Sequence, residues 1–342
     1  MTFQLIRKGL AAAALVALAS GPALAQGKVL RADTQGAGST PAVLMVALAE
    51  LVQKHTDMRL QVSTGKPATR SAVDAARGDV QIFAGAAPVS HYMLTQTQMY
   101  AEMADAKELA SRIRSIVNFP SGAYHIVVWE KSGIRTMEDL KGKKLFIGPP
   151  GSSAVRSCTA MLQAVGGFEP NKDYTTANLD WTGGFQAFQD GEVDAYFSPS
   201  AMPAAQFQQL ASTGKIRFLT LSEDAINSPQ IQDVLSVPGR TVETLPKGLY
   251  GENQMNEDDV KALGTWGSID TTTAVDEETI YQITKTFWEH IDSVHAASKA
   301  LEQITPENAY KYMATPLHPG ALRYYREIGW DVPDALVPPE AK

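Results

Sequence analysis

The sequence predicts an α/β protein of two lobes, with mostly parallel sheets flanked by helices and a ligand cleft between the lobes. Three observations predict it. Strand-like and helix-like patterns alternate along most of the chain, as parallel strands with both faces covered require. The 342 residues exceed the usual size of one domain. No fixed-period repeat, low-complexity tract or Pro/Ser-rich linker separates independent units, so the lobes are expected to share the chain by crossing over more than once.

Residues 28–34 read as a strand, with Val29 and Leu30 giving way to a polar end. Gln35-Gly36-Ala37-Gly38-Ser39 is a loop, and 41–54 is an apolar helix with Pro41 in its first turn, where a missing N–H costs nothing. A strand at 60–63 runs into Thr64-Gly65-Lys66 and a helix opening at Pro67. Further strands are expected at 80–84, 113–118 and 125–129. A second series follows: strand 144–148, loop 149–153, helix 154–165, helix 183–190 and strand 193–197. The last clear strand is 216–221. Over 277–301, Ile280, Ile283, Phe287, Ile291 and Val294 recur at helical spacing, a stripe suited to core packing rather than to a cofactor. The Pro-rich tail from Val337 reads as frayed. The division expected is a leader over 1–25, lobe 1 over 26–124, lobe 2 over 125–220, and a return to lobe 1 over 221–342.

The leader is read from Arg7-Lys8, the apolar run 9–19 and the small-x-small step Ala23-Leu24-Ala25, the form of a secretory signal peptide cut near Ala25. The run is about half of the ~20 residues a membrane span needs. The mature chain is expected to begin at Gln26 and to work in the periplasm. Removing Arg7 and Lys8 from the 30 basic residues leaves 28 against 37 acidic ones, a net charge of −9. That balance argues against a nucleic-acid or anionic-membrane surface. Cys158 is the only cysteine, so no internal disulfide is possible, and it reads as a buried small hydrophobe.

Three strand-to-helix junctions share one design: Gly36-Ala37-Gly38-Ser39-Thr40-Pro41, Thr64-Gly65-Lys66-Pro67-Ala68-Thr69-Arg70 and Gly148-Pro149-Pro150-Gly151-Ser152-Ser153. Each puts small residues and hydroxyls at a helix N-terminus, where unpaired N–H groups and the helix dipole favour an anion. Such residues are also ordinary helix caps, and only their recurrence points to a shared site. Lys66, Arg70 and Arg156 stand near these termini, where a cation opposes the dipole, so a compensating anion is expected. Arg156, directly after the Gly-Ser-Ser turn, is the expected carboxylate anchor, with Lys66 or Arg70 holding a second anionic group. Tyr124, Trp181 and Tyr250 are candidates for an apolar wall. Phosphate-loop and dinucleotide glycine patterns are absent, as are the Gly-x-Ser-x-Gly elbow and His-Glu-x-x-His. His290 and His295 are five apart and do not share a helix face. No catalytic residue, cofactor or metal is therefore expected.

The run Ser132-Gly133-Ile134-Arg135-Thr136-Met137-Glu138-Asp139-Leu140-Lys141-Gly142-Lys143-Lys144, followed by 147–153, resembles extracytoplasmic solute-binding proteins. With Asp190-Gly191-Glu192-Val193-Asp194-Ala195-Tyr196-Phe197 and Leu245-Pro246-Lys247-Gly248-Leu249-Tyr250, the chain most resembles the TAXI family, receptors of one class of TRAP transporters. The resemblance implies a periplasmic-binding-protein type II architecture, hinge closure on a small organic anion such as glutamate or 2-oxoglutarate, and delivery to TRAP membrane subunits. It maps the site to Gly38, Ser39 and Thr40, to the turn from Thr64 to Arg70 with Lys66 and Thr69, and to Gly151, Ser152 and Ser153, with Tyr250 as an addition. Pro41 stands where the family often has an aromatic, and Gly65-Lys66-Pro67-Ala68-Thr69-Arg70 departs from its Gly-Ser-x-x-Asn type of turn, so ligand identity does not carry over. The reading is a monomeric receptor; a sensing module on the same fold, or an exported enzyme, is the rival.

Overall fold

The computed structural model describes residues 27–342; the expected leader and its cut near Ala25 lie outside them. The chain opens with β1 (Lys28–Asp33), α1 (Thr40–His55), β2 (Met58–Ser63), α2 (Ala68–Ala76), β3 (Ile82–Ala86) and α3 (Ala87–Thr95). β1 pairs in parallel with β2 and with β3. Ser39 caps α1 by accepting the Ala42 N–H, Pro41 sits in the first turn, and Leu44, Met45, Leu48 and Val52 bury one face.

After α4 (Ala106–Ser111) comes β4 (Ile113–Trp129). Two strands are expected there, at 113–118 and 125–129, and the structure joins them into one. Pro120 and Gly122 interrupt the apolar pattern, but the strand bends instead of ending. Gly122 takes a φ of +98°, and a Cβ on it would stand 1.9 Å from the Ser200 carbonyl oxygen, so only glycine fits. Then follow β5 (Lys144–Phe146), α5 (Ser153–Gly166), β6 (Thr175–Thr176), α6 (Trp181–Gln189), β7 (Ala195–Ser200), α7 (Ala205–Thr213) and β8 (Ile216–Phe218).

The strand expected at 216–221 is not the last. After α8 (Glu223–Ile226) and α9 (Pro229–Leu235) come β9 (Arg240–Leu245) and the long β10 (Val260–Thr272). β10 is nearly all buried and carries glycines and small polar residues, so neither alternation nor a long apolar run marks it. The remaining helices are α10 (Glu277–Glu289), α11 (Ile291–Ala297) and α12 (Pro319–Glu327). The single helix expected over 277–301 is thus broken at His290, although Ile280, Ile283, Phe287 and Val294 all enter the core. Nor is the tail frayed: Val337 is buried, and the Glu340 carboxylate takes two hydrogen bonds from Arg114, at 2.8 and 2.9 Å.

The strand order is β2-β1-β3-β10-β4-β7-β5-β6, with β8 on β4 and β9 on β10. Both ends of this sheet are parallel, while β10 and β4 at its centre pair antiparallel with each other and with β3 and β7. Helices cover the sheet around separate cores. Ile116, Val117 and Phe119 of β4 join Ile269 of β10 in a core with α1, α10 and α12. Tyr124, Ile126 and Val128 of β4 join Leu263 of β10 in another, with α5, α8 and α9. Two strands therefore cross between the halves of the molecule, and residues of α8 and α9 belong with the second half.

Candidate functional site

A cavity of about 260 Å³ lies where the halves meet. Strand-to-helix turns build it. Ser39 and Pro41 of α1, Pro67 to Thr69 of α2, and Ala86 and Val89 of α3 line one side. Ser152 to Ala154 of α5, Trp181, Thr182 and Phe185 of α6, and Ala205, Gln206 and Gln209 of α7 line the other. Each of these helices contributes its cap or first turns, so six helix N-termini converge on one space. Ser39 and the Asp180 carboxylate already accept an N–H in the first turns of α1 and α6, and the N–H groups and dipoles left over at these termini favour an anion. Among the described residues, no Asp, Glu, Lys, Arg or His lines it.

Two polar atoms await a partner. Ser152 caps α5 without bonding its own helix, and its buried Oγ makes no hydrogen bond; Gln35 Oε1 is in the same position. The Gln35 amide is held by its Nε2, which donates to the Ala84 carbonyl at 2.8 Å. Gln206 donates to Ser200 Oγ at 2.9 Å. Trp181 packs edge-on against Phe146 at 5.7 Å and forms the apolar wall with Phe185 and Tyr196.

Of the residues expected from sequence, Gly38, Ser39, Thr69, Tyr124, Ser152, Ser153 and Trp181 line the cavity. Thr40, Thr64, Lys66, Arg70, Gly151, Arg156 and Tyr250 do not. Thr40 Oγ1 instead accepts the Ala201 N–H at 3.0 Å, across the two halves. Thr64 and Gly151 are exposed on the turns. Lys66 donates to Asp33 at 2.6 Å and to Asp74 at 3.1 Å, and Arg70 pairs with Asp74 at 2.9 Å. Burial lowers the Lys66 pKa, but the hydrogen bonds to Asp33 and Asp74 outweigh it and raise the ammonium above its ordinary value. Arg156 pairs with Asp233 of α9 and lies over the Tyr92 ring of α3, 5.5 Å from its centroid. The compensating anions expected for all three cations are carboxylates of the chain itself.

Tyr250 bonds to the cap of another helix. Its hydroxyl donates to His125 Nε2 at 2.7 Å and accepts the N–H of Ala204, the cap of α7, at 3.1 Å. His125 donates from Nδ1 to the Ala123 carbonyl, and burial holds its pKa down at about 3, so the ring is neutral. The polar contribution of β7 and its junction, Ser198 with Gln206, is not legible in the sequence, because no glycine-rich turn marks that junction. Burial pushes the Cys158 thiol up, away from the reactive thiolate. Among the described residues, no group of three or more His, Cys, Asp or Glu is placed to hold a metal, and no helix is long and apolar enough to cross a membrane.

The NMT1-like family matches residues 33–329. Among solved structures, the chain is similar to the alkanesulfonate-binding protein SsuA from Xanthomonas axonopodis pv. citri bound to MOPS. That match has 17% identity over 89% of this chain and 92% of that one, with a TM-score of 0.48. It is also similar to a TRAP periplasmic solute binding protein from Shewanella oneidensis with bound succinate, at 11% identity over 88% and 91%, TM-score 0.46. A third is the periplasmic ectoine-binding protein of the TeaABC TRAP transporter of Halomonas elongata, at 12% over 88% and 90%, TM-score 0.43.

Proposed function

The chain belongs to the NMT1-like family, and on that premise we propose that it is a monomeric periplasmic receptor of the TAXI type. It binds a small organic anion, a carboxylate, and hands it to the membrane subunits of a TRAP transporter. The convergence of six helix N-termini from both halves on a cavity with no charged side chain carries this reading. A carboxylate there would take backbone N–H groups from opposite walls and satisfy the unpartnered Ser152 hydroxyl. The lobes are the two halves with their separate cores, and the crossing points in β4 and β10 form the hinge. A ligand touching both walls favours the closed arrangement by its extra contacts there.

The test is a thermal-shift screen of the mature chain against carboxylic acids and their neutral amides. Acids that raise the melting temperature and are recovered unchanged support a receptor. Stabilisation by amides and acids alike contradicts an anion site, and turnover of a bound compound contradicts a receptor.

A further inference from the structure

Resting on that reading, we infer that Arg240 supplies the one uncompensated positive charge beside the cavity among the described residues. The ligand is then a monoanion with an apolar body, not a dicarboxylate.

The cations near the cavity can be accounted for one by one. Lys66 and Arg70 share Asp33 and Asp74, two cations with two carboxylates. Arg156 has Asp233. Arg240, only 5% exposed, has no carboxylate within ion-pair reach among the described residues. Its Nη1 donates to Tyr124 Oη at 3.2 Å, its guanidinium lies 5.7 Å from the centroid of that ring, and its Nε has no partner. A buried guanidinium without a counter-ion is costly, and proteins ordinarily supply one.

Position says where the counter-ion belongs. Arg240 of β9 is the register partner of Thr265 of β10, so their side chains share a face. Thr265 and Tyr124 both line the cavity. Arg240 does not itself line the cavity, and its hydrogen bond to Tyr124, which does, connects it to the space. Because the phenol oxygen accepts from Arg240, its own proton is left to donate, and the adjacent charge makes it a stronger donor. An anion accepting from Tyr124 would neutralise Arg240 without touching it. Arg240 is thus a positioning residue and Tyr124 the contact. One free positive charge matches one negative charge, and Val89, Trp181, Phe185 and Tyr196 offer the rest of the ligand an apolar surface. A second carboxylate would have only backbone N–H groups and neutral side chains to receive it, with no further positive charge behind them.

Titration calorimetry on the mature chain with matched triplets tests this: phenylacetate, phenylacetamide and phenylsuccinate, and hexanoate, hexanamide and adipate. The monoacids should bind at least about tenfold tighter than both the amides and the diacids. In Arg240→Met the acid-to-amide ratio should fall to within about threefold, and Arg240→Lys should restore part of it. Tyr124→Phe keeps the ring and removes the relay, so it should lower the same ratio; it carries the test if Arg240→Met does not fold. Diacids binding tightest, or an unchanged ratio in Tyr124→Phe, would overturn the role of Arg240 while leaving an anion receptor in place. Binding of no acid in either series would overturn both readings.

Discussion

Lys66 and Tyr250 have roles that local sequence could not disclose. Lys66 sits in a turn that reads as an anion cradle, yet the charges it meets are Asp33, in the preceding parallel strand, and Asp74, two turns into the next helix. Pairing across such a distance is invisible to motif reading, and the same holds for Arg156 with Asp233. The hydroxyls at Ser39, Thr69, Ser152 and Ser153 were legible because capping is a local matter of a few residues. Lys66→Met should leave the buried Asp33 carboxylate without its cation and Asp74 with Arg70 alone, and destabilise the fold by about 1–2 kcal/mol, the partial exposure of Lys66 moderating the loss. Urea denaturation measures it, and an unchanged midpoint would show that the pairs contribute nothing. Tyr250→Phe strips His125 and the Ala204 N–H of their partner, both buried, and should cost about 1–3 kcal/mol. Its effect on ligand affinity should be smaller than that of Tyr124→Phe, since only Tyr124 faces the cavity; the reverse order in calorimetry would return Tyr250 to the site.

β4 and β10 are where sequence and structure part most clearly. Helices and outer strands follow familiar periodicities and were legible to within a few residues, as α1 and β1 show. The crossing strands are buried on both faces and must bend, so they carry glycine, proline and small polar residues that read as loop. β10 also carries Asp270, which accepts from Ser115 at 2.8 Å and from Ser268 at 2.6 Å and is completely buried, with no cation paired to it among the described residues. Burial raises its pKa to about 7 from an ordinary 3.8. Between roughly pH 4 and pH 7 the folded chain holds a proton there that the unfolded chain has lost, so this group's contribution to stability falls as pH rises through that window. His125, held at about 3, and His318, held at about 4, act in the opposite direction up to about pH 6.5, because the unfolded chain binds their protons. The wild-type profile therefore sums opposing slopes. The difference between wild type and Asp270→Asn isolates one of them: the variant should gain stability relative to wild type as pH rises from 4 to 7, at up to about 1.4 kcal/mol per pH unit. A difference that does not change with pH would mean that Asp270 is already ionised in the fold.

As a whole, the molecule is two halves tied by two strands around a cavity walled by helix ends, and under the proposed function the contents of the cavity decide how closely the halves approach. Length and alternation made the two-part α/β architecture legible. β10, whose residues join both cores, has no linker beside it that composition could flag. The halves already touch at the mouth of the cavity, where Gly36 lies against Trp181 and a Cβ on Gly36 would stand 2.8 Å from the Trp181 Cβ. Gly36→Ala should therefore hold the halves slightly apart and weaken ligand affinity several-fold, with little change in stability since its backbone is not in the left-handed region. Equal affinity in the variant would show that closure does not bring these surfaces together. The closing receptor is tested most directly by solution X-ray scattering of the mature chain, titrated with the acid that stabilises it best. The radius of gyration should fall and saturate at the concentration where calorimetry shows the site full, and the matched amide should leave it unchanged. A saturated site with an unaltered radius of gyration would contradict closure.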